Sequence, residues 1–582
     1  MNNYFNFLIL RTIIYFLYWE IKYFFRYFKY LFNLFGYINI LKYSIYRKKD
    51  YRILKSGPQK QALKKNYYFW KKFIKKNKLS DEILVTSLVS VKSYSINNCI
   101  IGLFLSNIFN KNPVGLIKQY DYKTEIFIRS FGINKVHYIP NGNIFSRFKY
   151  FFKSVNLISK IKKTDDLLNL KYENIDIGKI VYDHYIRFTG IGSIDLITPK
   201  ILFFLSKALL IQNFSKQLFK SNSFKEVVQS EQQFIPSALV FQNALVNNCD
   251  VFTSIGQGNK ISVMIYRDIK TKYKDRHCFS KDLFNLIYKN YKKEISDTTE
   301  EILRERFHGN FKYSVVHHIE ENMEHKFTAQ SNLINNYSKN ELCKKFDWDI
   351  NKPIVIIFAT DLTDGVFKVD WKIFKDNLTG LQETLNIIKE IKNINWLIKP
   401  HPNDIKNNVI TSTEKEVLRL SKIYKNIELF PKNFGNNSLS KIISAAVTMG
   451  GSVGYEFPSL GIPSIICTGT FYAGHGFNYE ASTVDEYKKM LKKADKLTPL
   501  SVEQIAKAKT FIYIYAILTR VYSPLIPEKE VKDKGYEYIN FWKDLEKIIE
   551  NYKFETDDFY KNFKIQLEKF DRHTINYNFI KK

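Results

Sequence analysis

From about residue 80 onward, short apolar runs alternate with amphipathic stretches. Glu82–Val89 (EILVTSLV), Pro113–Lys118 and Lys135–Ile139 are too short for stable helices and apolar at most positions. Such runs predict strands buried in a parallel sheet. Tyr94–Phe109 and Lys123–Phe131, between them, predict crossover helices. Residues 145–222 read as more helical and irregular. The sheet pattern resumes with strand Lys225–Ser230, helix Pro236–Asn247 and strand Asp250–Ile255. Residues 280–345 read as a polar, helix-rich bridge.

A second block of the same texture starts at Lys352. Strands are predicted at Pro353–Ala359 (PIVIIFA), Asn395–Lys399, Ile427–Phe430, Ala445–Met449 and Ser464–Thr468. Helices are predicted at Asp376–Ile391, Lys415–Tyr424, Ser438–Ser444 and Tyr455–Leu460, and again over 501–523 and 535–569. No internal repeat and no low-complexity linker interrupts this order. The fold class expected is α/β, with two Rossmann-like domains facing a cleft. The expected domains are a helical N-terminal region 1–78, a Rossmann-like domain 79–345 with a helical insertion, a second Rossmann-like domain 346–500 and closing helices 501–582.

Residues 4–46 stand apart, strongly apolar and aromatic but crossed by Arg11, Glu20, Lys22, Arg26 and Lys29. A spanning helix needs about 20 apolar residues with few charges. At about 100° per residue, Arg11, Lys22, Arg26 and Lys29 share one face. That is the pattern of an amphipathic helix lying in an anionic membrane interface. A helix packed on the protein's own core is the alternative. No small-residue cleavage site follows, so a removable signal peptide is not expected.

Charge sharpens the picture less than its size suggests. The chain of 582 residues carries 89 Lys+Arg against 57 Asp+Glu, a formal net charge of +32. Lysine supplies 75 of those cations and arginine 14. Lys, Asn, Ile, Phe and Tyr are the residues of A/T-rich codons, so genome composition accounts for much of the excess. A nucleic-acid binder would spend more arginine on phosphate and base forks. No zinc-finger, RNP or basic-zipper pattern is present, and nucleic acid is not an expected partner. Five cysteines without a CxxC argue against a disulfide scaffold or a structural zinc site.

Two segments carry candidate chemistry. Val447–Gly476 reads VTMGGSVGYEFPSLGIPSIICTGTFYAGHG: strand, Gly-Gly-Ser loop, helix, turn, strand, loop. Gly450 and Gly451 let backbone approach a phosphate, with Ser452 and the helix start donating to it. Glu456, one turn into that helix, suits ribose hydroxyls. The plainer reading is a glycine turn that serves only tight strand–helix packing. The second segment is Trp396–Asn403, WLIKPHPN, where His401 falls at the carboxyl edge of the sheet between Pro400 and Pro402. Lys399 and His401 suit a phosphate, one as a point charge and the other as a hydrogen-bond or proton donor.

KPHP, followed about fifty residues later by GGSVGYEFPSLGIPSI and then TGTFYAGHGF, resembles the capsule polysaccharide biosynthesis glycosyltransferases, GT-B enzymes that include the β-Kdo transferases of capsule assembly. The likeness is clear from about 350 to 490, patchy from 175 to 310, where DIGKIVYDHYIRF lies, and absent from the first 80 residues. The resemblance implies that Lys399 and His401 contact a donor phosphate. It implies that Gly451 and Ser452 cradle that phosphate and Glu456 holds the ribose, with Tyr472, His475 and Gly476 closing over the site. It implies a nucleotide-sugar donor, CMP- or UDP-linked, and neither a metal nor another cofactor. Asp364, in ATDLTDG, resembles an acidic position of the family, but Thr360 and Asp361 stand where relatives often carry histidine.

An acceptor side would come from the first domain. Asp183, His184 and Arg187 are polar groups in an apolar stretch, and Glu231 follows a predicted strand end. Asp183 or Glu231 is a candidate general base or nucleophile; a solvated charge or a packing salt bridge is the alternative for each. Arg304 and Arg306 are candidates to neutralise phosphate or to form an interdomain ion pair. His317, His318 and His325 have no partner at metal-ligand spacing. The function expected is transfer of a sugar, Kdo or a related acidic sugar, to a surface polysaccharide or lipid-linked acceptor, by a cytoplasmic enzyme attached peripherally to the inner face of the membrane. A CDP-glycerol-type polyol-phosphate transferase and a non-catalytic binding protein of the same fold are the alternatives.

Overall fold

The structure is a computed structural model. It describes residues 9–15, 17–18, 21–22, 58–74, 81–307, 337–526 and 538–580, apart from short stretches at 90–91, 120, 258–259, 276, 368–372, 402, 407–409, 411, 432–435 and 468. Its strands, in chain order, are β1 (Glu82–Ser87), β2 (Asn112–Lys118), β3 (Val136–Ile139), β4 (Glu226–Val228), β5 (Asp250–Gln257), β6 (Lys260–Tyr266), β7 (Ile354–Phe358), β8 (Asn395–Lys399), β9 (Ile427–Leu429), β10 (Ala445–Thr448), β11 (Ser464–Cys467), β12 (Tyr479–Ala481) and β13 (Val521–Tyr522). They form two sheets, and the chain divides into two units.

Unit 1 comprises residues 1–185, 195–272 and 520–582. Its sheet runs β13-β6-β5-β4-β1-β2-β3. From β3 to β5 all neighbours are parallel; β6 and β13 join antiparallel. Strand order reverses between β1 and β4, the topological switch point of a doubly wound sheet. The late segment 520–582 supplies both an edge strand and core. Leu545, Ile549, Phe559 and Phe563 are buried in one cluster with Trp70, Phe104, Phe252 and Ile261.

Unit 2 comprises residues 186–194 and 273–519. Its six strands are all parallel, in the order β12-β11-β10-β7-β8-β9. This is the 3-2-1-4-5-6 order of a Rossmann sheet, with its switch point between β7 and β10. The strands lack polar alternation because both faces are covered. One core cluster takes Val355, Ile357, Trp396, Ile398 and Val447; another takes Ile354, Ile356, Leu397 and Ala446.

The boundaries expected at 78/79, 345/346 and 500/501 do not coincide with these divisions. Helix Lys281–Phe307 groups with unit 2 and helix Val502–Tyr513 does too, whereas helix Pro58–Phe73 groups with unit 1. The helix expected at Tyr455–Leu460 is two pieces: one α-turn at Val453–Glu456 and a 3-10 turn at Pro458–Leu460. Pro458 cannot donate a helical hydrogen bond, so the α-turn stops before it. Of the amphipathic extension at 4–46, only helical fragments at 9–22 are described; the rest, like His317, His318 and His325, lies outside the described residues.

Candidate functional site

The carboxyl edge of unit 2 gathers the KPHP and glycine-loop segments. Thr448, Phe358 and Lys399 are register partners in the last paired row of β10, β7 and β8. Three connections therefore leave the sheet side by side: 359–364 after β7, the link through His401 into helix Asn403–Lys406 after β8, and 449–452 after β10.

Lys399 is the last residue of β8. Its ammonium lies 4.4 Å from the ring centroid of Phe430 and 5.9 Å from that of Phe358. Aromatic faces attract a cation but solvate it less well than water does. Burial therefore lowers the Lys399 pKa to about 8, against the upward pull of Glu456.

His401 is two residues beyond the strand. Its Nδ1 accepts from the Asn403 backbone N–H at 3.2 Å, and its carbonyl accepts from Asp404 N at 3.0 Å. With Nδ1 accepting, the proton of the neutral imidazole sits on Nε2 and makes it a donor. Burial lowers the His401 pKa, opposed by Asp361, Asp404 and Asp364. Asp361, which the sequence offered only as a departure from the family pattern, is tied into the same edge. It is 7% exposed, accepts from Asn403 Nδ2 at 3.0 Å and from Thr363 N at 2.9 Å, and lies 3.6 Å from Arg187 Nη1. Asp404, also buried, accepts from Thr413 Oγ1 at 2.8 Å. Asp364 Oδ1 accepts from Gly365 N at 2.9 Å.

The glycine loop is built around Tyr472. The Gly451 N–H donates to Thr448 Oγ1 at 3.0 Å, and the Tyr472 hydroxyl donates to the Gly451 carbonyl at 2.8 Å. A Cβ on Gly454 would stand 2.4 Å from that hydroxyl oxygen, so the Gly454 position requires glycine for packing alone. The packing reading of these glycines thus has direct geometric support at Gly454. Tyr472 is fully buried among Tyr455, Phe471 and Phe511 and anchors the loop from behind. Ser452 makes no capping bond to its α-turn; its Oγ accepts from Arg306 Nη2 at 3.0 Å. Glu456 is 4% exposed and pairs with Arg306 Nε at 2.5 Å. Arg306 thus bridges the two residues assigned to phosphate and ribose. Burial opposes its charge, but Glu456, Tyr455 and Tyr515 raise its pKa overall.

His475 lies in an aromatic setting. Its ring packs 4.4 Å from Phe284 and 5.4 Å from Phe511, between centroids, and burial with Lys281 nearby lowers its pKa to about 4. The neutral imidazole is therefore the folded-state form. An unfolded chain takes up a proton near pH 6.5, and the folded one only near pH 4. Stability from this residue is complete above pH 6.5 and is lost as pH falls toward 4, by about 3 kcal/mol in total. Thermal melts between pH 7 and pH 4 should show a shallower decline for His475→Phe than for wild type; an equal decline would mean this imidazole does not titrate as described.

Unit 1 has its own polar edge at the β1/β4 switch point. Asn98 Nδ2 donates to the Thr86 carbonyl at 2.9 Å, Ser230 Oγ donates to Asn98 Oδ1 at 2.6 Å, and Ser230 and Ser254 hydroxyls are 2.5 Å apart. A small crevice there is lined by Ser87, Tyr94, Asn98, Gln229, Ser230 and Glu231. Glu231 comes three residues after β4, which ends at Val228 rather than Ser230. Its Oε1 accepts from Gln232 N and Gln233 N, both at 2.8 Å. Asp183 is 4% exposed on helix Ile177–Thr189. Its neighbour His184 accepts from Ile235 N at 3.3 Å, so this helix backs the turn that carries Glu231. Arg187 and Asp183, adjacent in the sequence reading, fall in different units. Among the described residues no cluster of His, Cys, Asp and Glu is arranged to hold a metal ion.

No protein-family model and no curated protein matches the chain. Solved structures do. KpsC from Thermosulfurimonas dismutans, a β-Kdo 2,4 transferase, matches over 53% of this chain and 88% of its own, at 14% identity and a TM-score of 0.30. The β-Kdo 2,7 transferase of the same protein matches over 54% and 83%, at 14% identity and a TM-score of 0.28. The UDP-GlcNAc 2-epimerase of Methanocaldococcus jannaschii, in complex with UDP-GlcNAc and UDP, matches over 75% and 100%, at 15% identity and a TM-score of 0.26. At such TM-scores the likeness carries no argument about chemistry, and the α/β assignment rests on this chain's own two sheets, each doubly wound about a switch point.

Proposed function

We propose that the protein is a glycosyltransferase that moves a sugar from a nucleotide donor to an envelope glycan or lipid-linked acceptor. The observation that carries this reading is the pairing of Lys399 and the Nε2–H of His401 at the carboxyl edge of the unit 2 sheet. An ammonium and a neutral donor there suit a phosphate that gains charge as the bond to the sugar breaks. The acceptor hydroxyl attacks the anomeric carbon, the carbon–oxygen bond to phosphate breaks, and the hydroxyl proton leaves to a base. The sequence offers Glu231 and Asp183 as candidates for that base; Glu231 lines the unit 1 crevice and Asp183 is buried. The donor nucleotide is CMP- or UDP-linked, and the sugar is Kdo or a related acidic one. The test is a thermal-shift panel of CMP-, UDP-, GDP- and CDP-linked compounds, since a ligand bound only by the native state raises its melting temperature. A stabilising nucleotide sugar with product formation supports transfer; a phosphodiester product from a CDP-polyol overturns it.

We also propose peripheral attachment to an anionic membrane. Leu10, Ile14, Leu17, Tyr18 and Ile21 recur at helical spacing and are all more than half exposed, with Arg11 and Lys22 exposed beside them. Among the described residues no helix is long and apolar enough to cross a membrane. Deleting residues 1–50 should release the protein from anionic liposomes in a flotation assay while nucleotide binding persists. Unchanged flotation would place the segment's role elsewhere.

A further inference from the structure

We propose that Arg306 is a phosphate-binding residue of the glycine-loop site and that Glu456 acts by holding it there. This rests on the nucleotide-donor reading and deepens it. Arg306 stands next to the last residue of helix Lys281–Phe307. Glu456, in the short turn after the glycine loop, engages Nε at 2.5 Å, and Ser452, in the loop itself, engages Nη2 at 3.0 Å.

The pair is graded in depth. The Glu456 side chain is 5% exposed and that of Arg306 is 26% exposed. A guanidinium has five N–H donors in a planar fork; one donates to Ser452, and the contact with Glu456 is an ion pair. The fork matches phosphate oxygens in pairs, and orienting one edge against a fixed carboxylate pre-organises the rest. Charge points the same way. The Glu456 carboxylate also pulls the Lys399 pKa upward against burial, so its field reaches a second cation as well as Arg306. A buried ion pair alone contributes little over an apolar pair of similar volume, so this arrangement is better explained by a ligand than by stability. Glu456 is then a positioning residue for Arg306 rather than a ribose ligand.

The probe is pyrophosphate, titrated calorimetrically into the full-length protein, with unliganded melting temperatures as the control for folding. Arg306→Gln should weaken pyrophosphate about 10- to 100-fold, the range of a charged hydrogen bond, while melting stays within a few degrees of wild type. Arg306→Lys keeps the charge but loses the fork, and should fall between the two. Glu456→Gln should weaken pyrophosphate less than Arg306→Gln does. Affinity within threefold of wild type for Arg306→Gln overturns the proposal. So does a loss of affinity matched by a fall in unliganded melting temperature in both Arg306 variants, which would make the contact structural. Wild-type protein that binds pyrophosphate, sensitively to Arg306, but no nucleotide would leave the anion site standing and sink the donor reading. Wild-type protein that binds neither sinks both.

Discussion

His401→Ala should lower turnover about 100- to 1000-fold, the usual loss when one donor to a developing oxyanion is removed. The effect should fall on turnover more than on donor affinity, because the charge on the departing phosphate grows in the transition state. The Nδ1 contact to Asn403 N fixes which nitrogen matters. His401→Gln carries an amide N–H near the Nε2 position and should keep more activity than Ala if the contribution is electrostatic. Equal loss in Gln and Ala would point to proton donation. Turnover within a few-fold of wild type for Ala would make His401 a structural residue of the connection after β8. The assay is initial-rate transfer with the donor selected by thermal shift.

Lys399 supplies the second large effect, and its sign follows from burial. In the unliganded protein its pKa is lowered to about 8. A bound phosphate stabilises the ammonium and raises that value, so binding draws in a proton whenever Lys399 starts neutral. Nucleotide affinity should therefore be level below pH 8 and fall above it, by up to about tenfold per pH unit until the pKa of the complex is reached. Lys399→Met should weaken binding about 10- to 100-fold at pH 7 and abolish the decline above pH 8. Calorimetry from pH 7 to pH 10 would show wild type converging on the variant. A parallel pair of curves would remove Lys399 from the anion site.

The sheets were legible because their strands are short, nearly unbroken apolar runs. IVIIF, NWLIK and AAVT are each buried on both faces, and little else in a chain does that. The strands that escaped were β6, β12 and β13. The first forms an antiparallel hairpin with β5, and the last pairs across about 260 residues of sequence, which periodicity cannot register. At the site, KPHP was legible because a strand end fixes where its residues stand. Arg306 and Glu456 each stood out as a candidate, but their pairing was not legible, since the partners are 150 positions apart. The aromatic surroundings of His475 were not legible for the same reason: Phe279, Phe284 and Phe511, which pack on it, come from distant segments.

The two units differ in when a growing chain can complete them. All six strands of unit 2 emerge from the ribosome in one stretch, Ile354 to Ala481, with their crossover helices between them. Unit 1 begins first and finishes last. Its β1–β6 sheet is translated by Tyr266, yet β13 and the Phe559 and Phe563 rings that pack with Phe104 and Phe252 arrive some 250 to 300 residues later. During that interval the outer edge of β6 has no strand beside it, and apolar surface normally covered by the last helices stays open. Unpaired strand edges and exposed apolar surface are what chaperones retain and what aggregates nucleate on. The earlier-made unit is thus the one whose safe delivery depends on the later segment 520–582, and termination after unit 2 would leave a finished parallel sheet tethered to an incomplete unit.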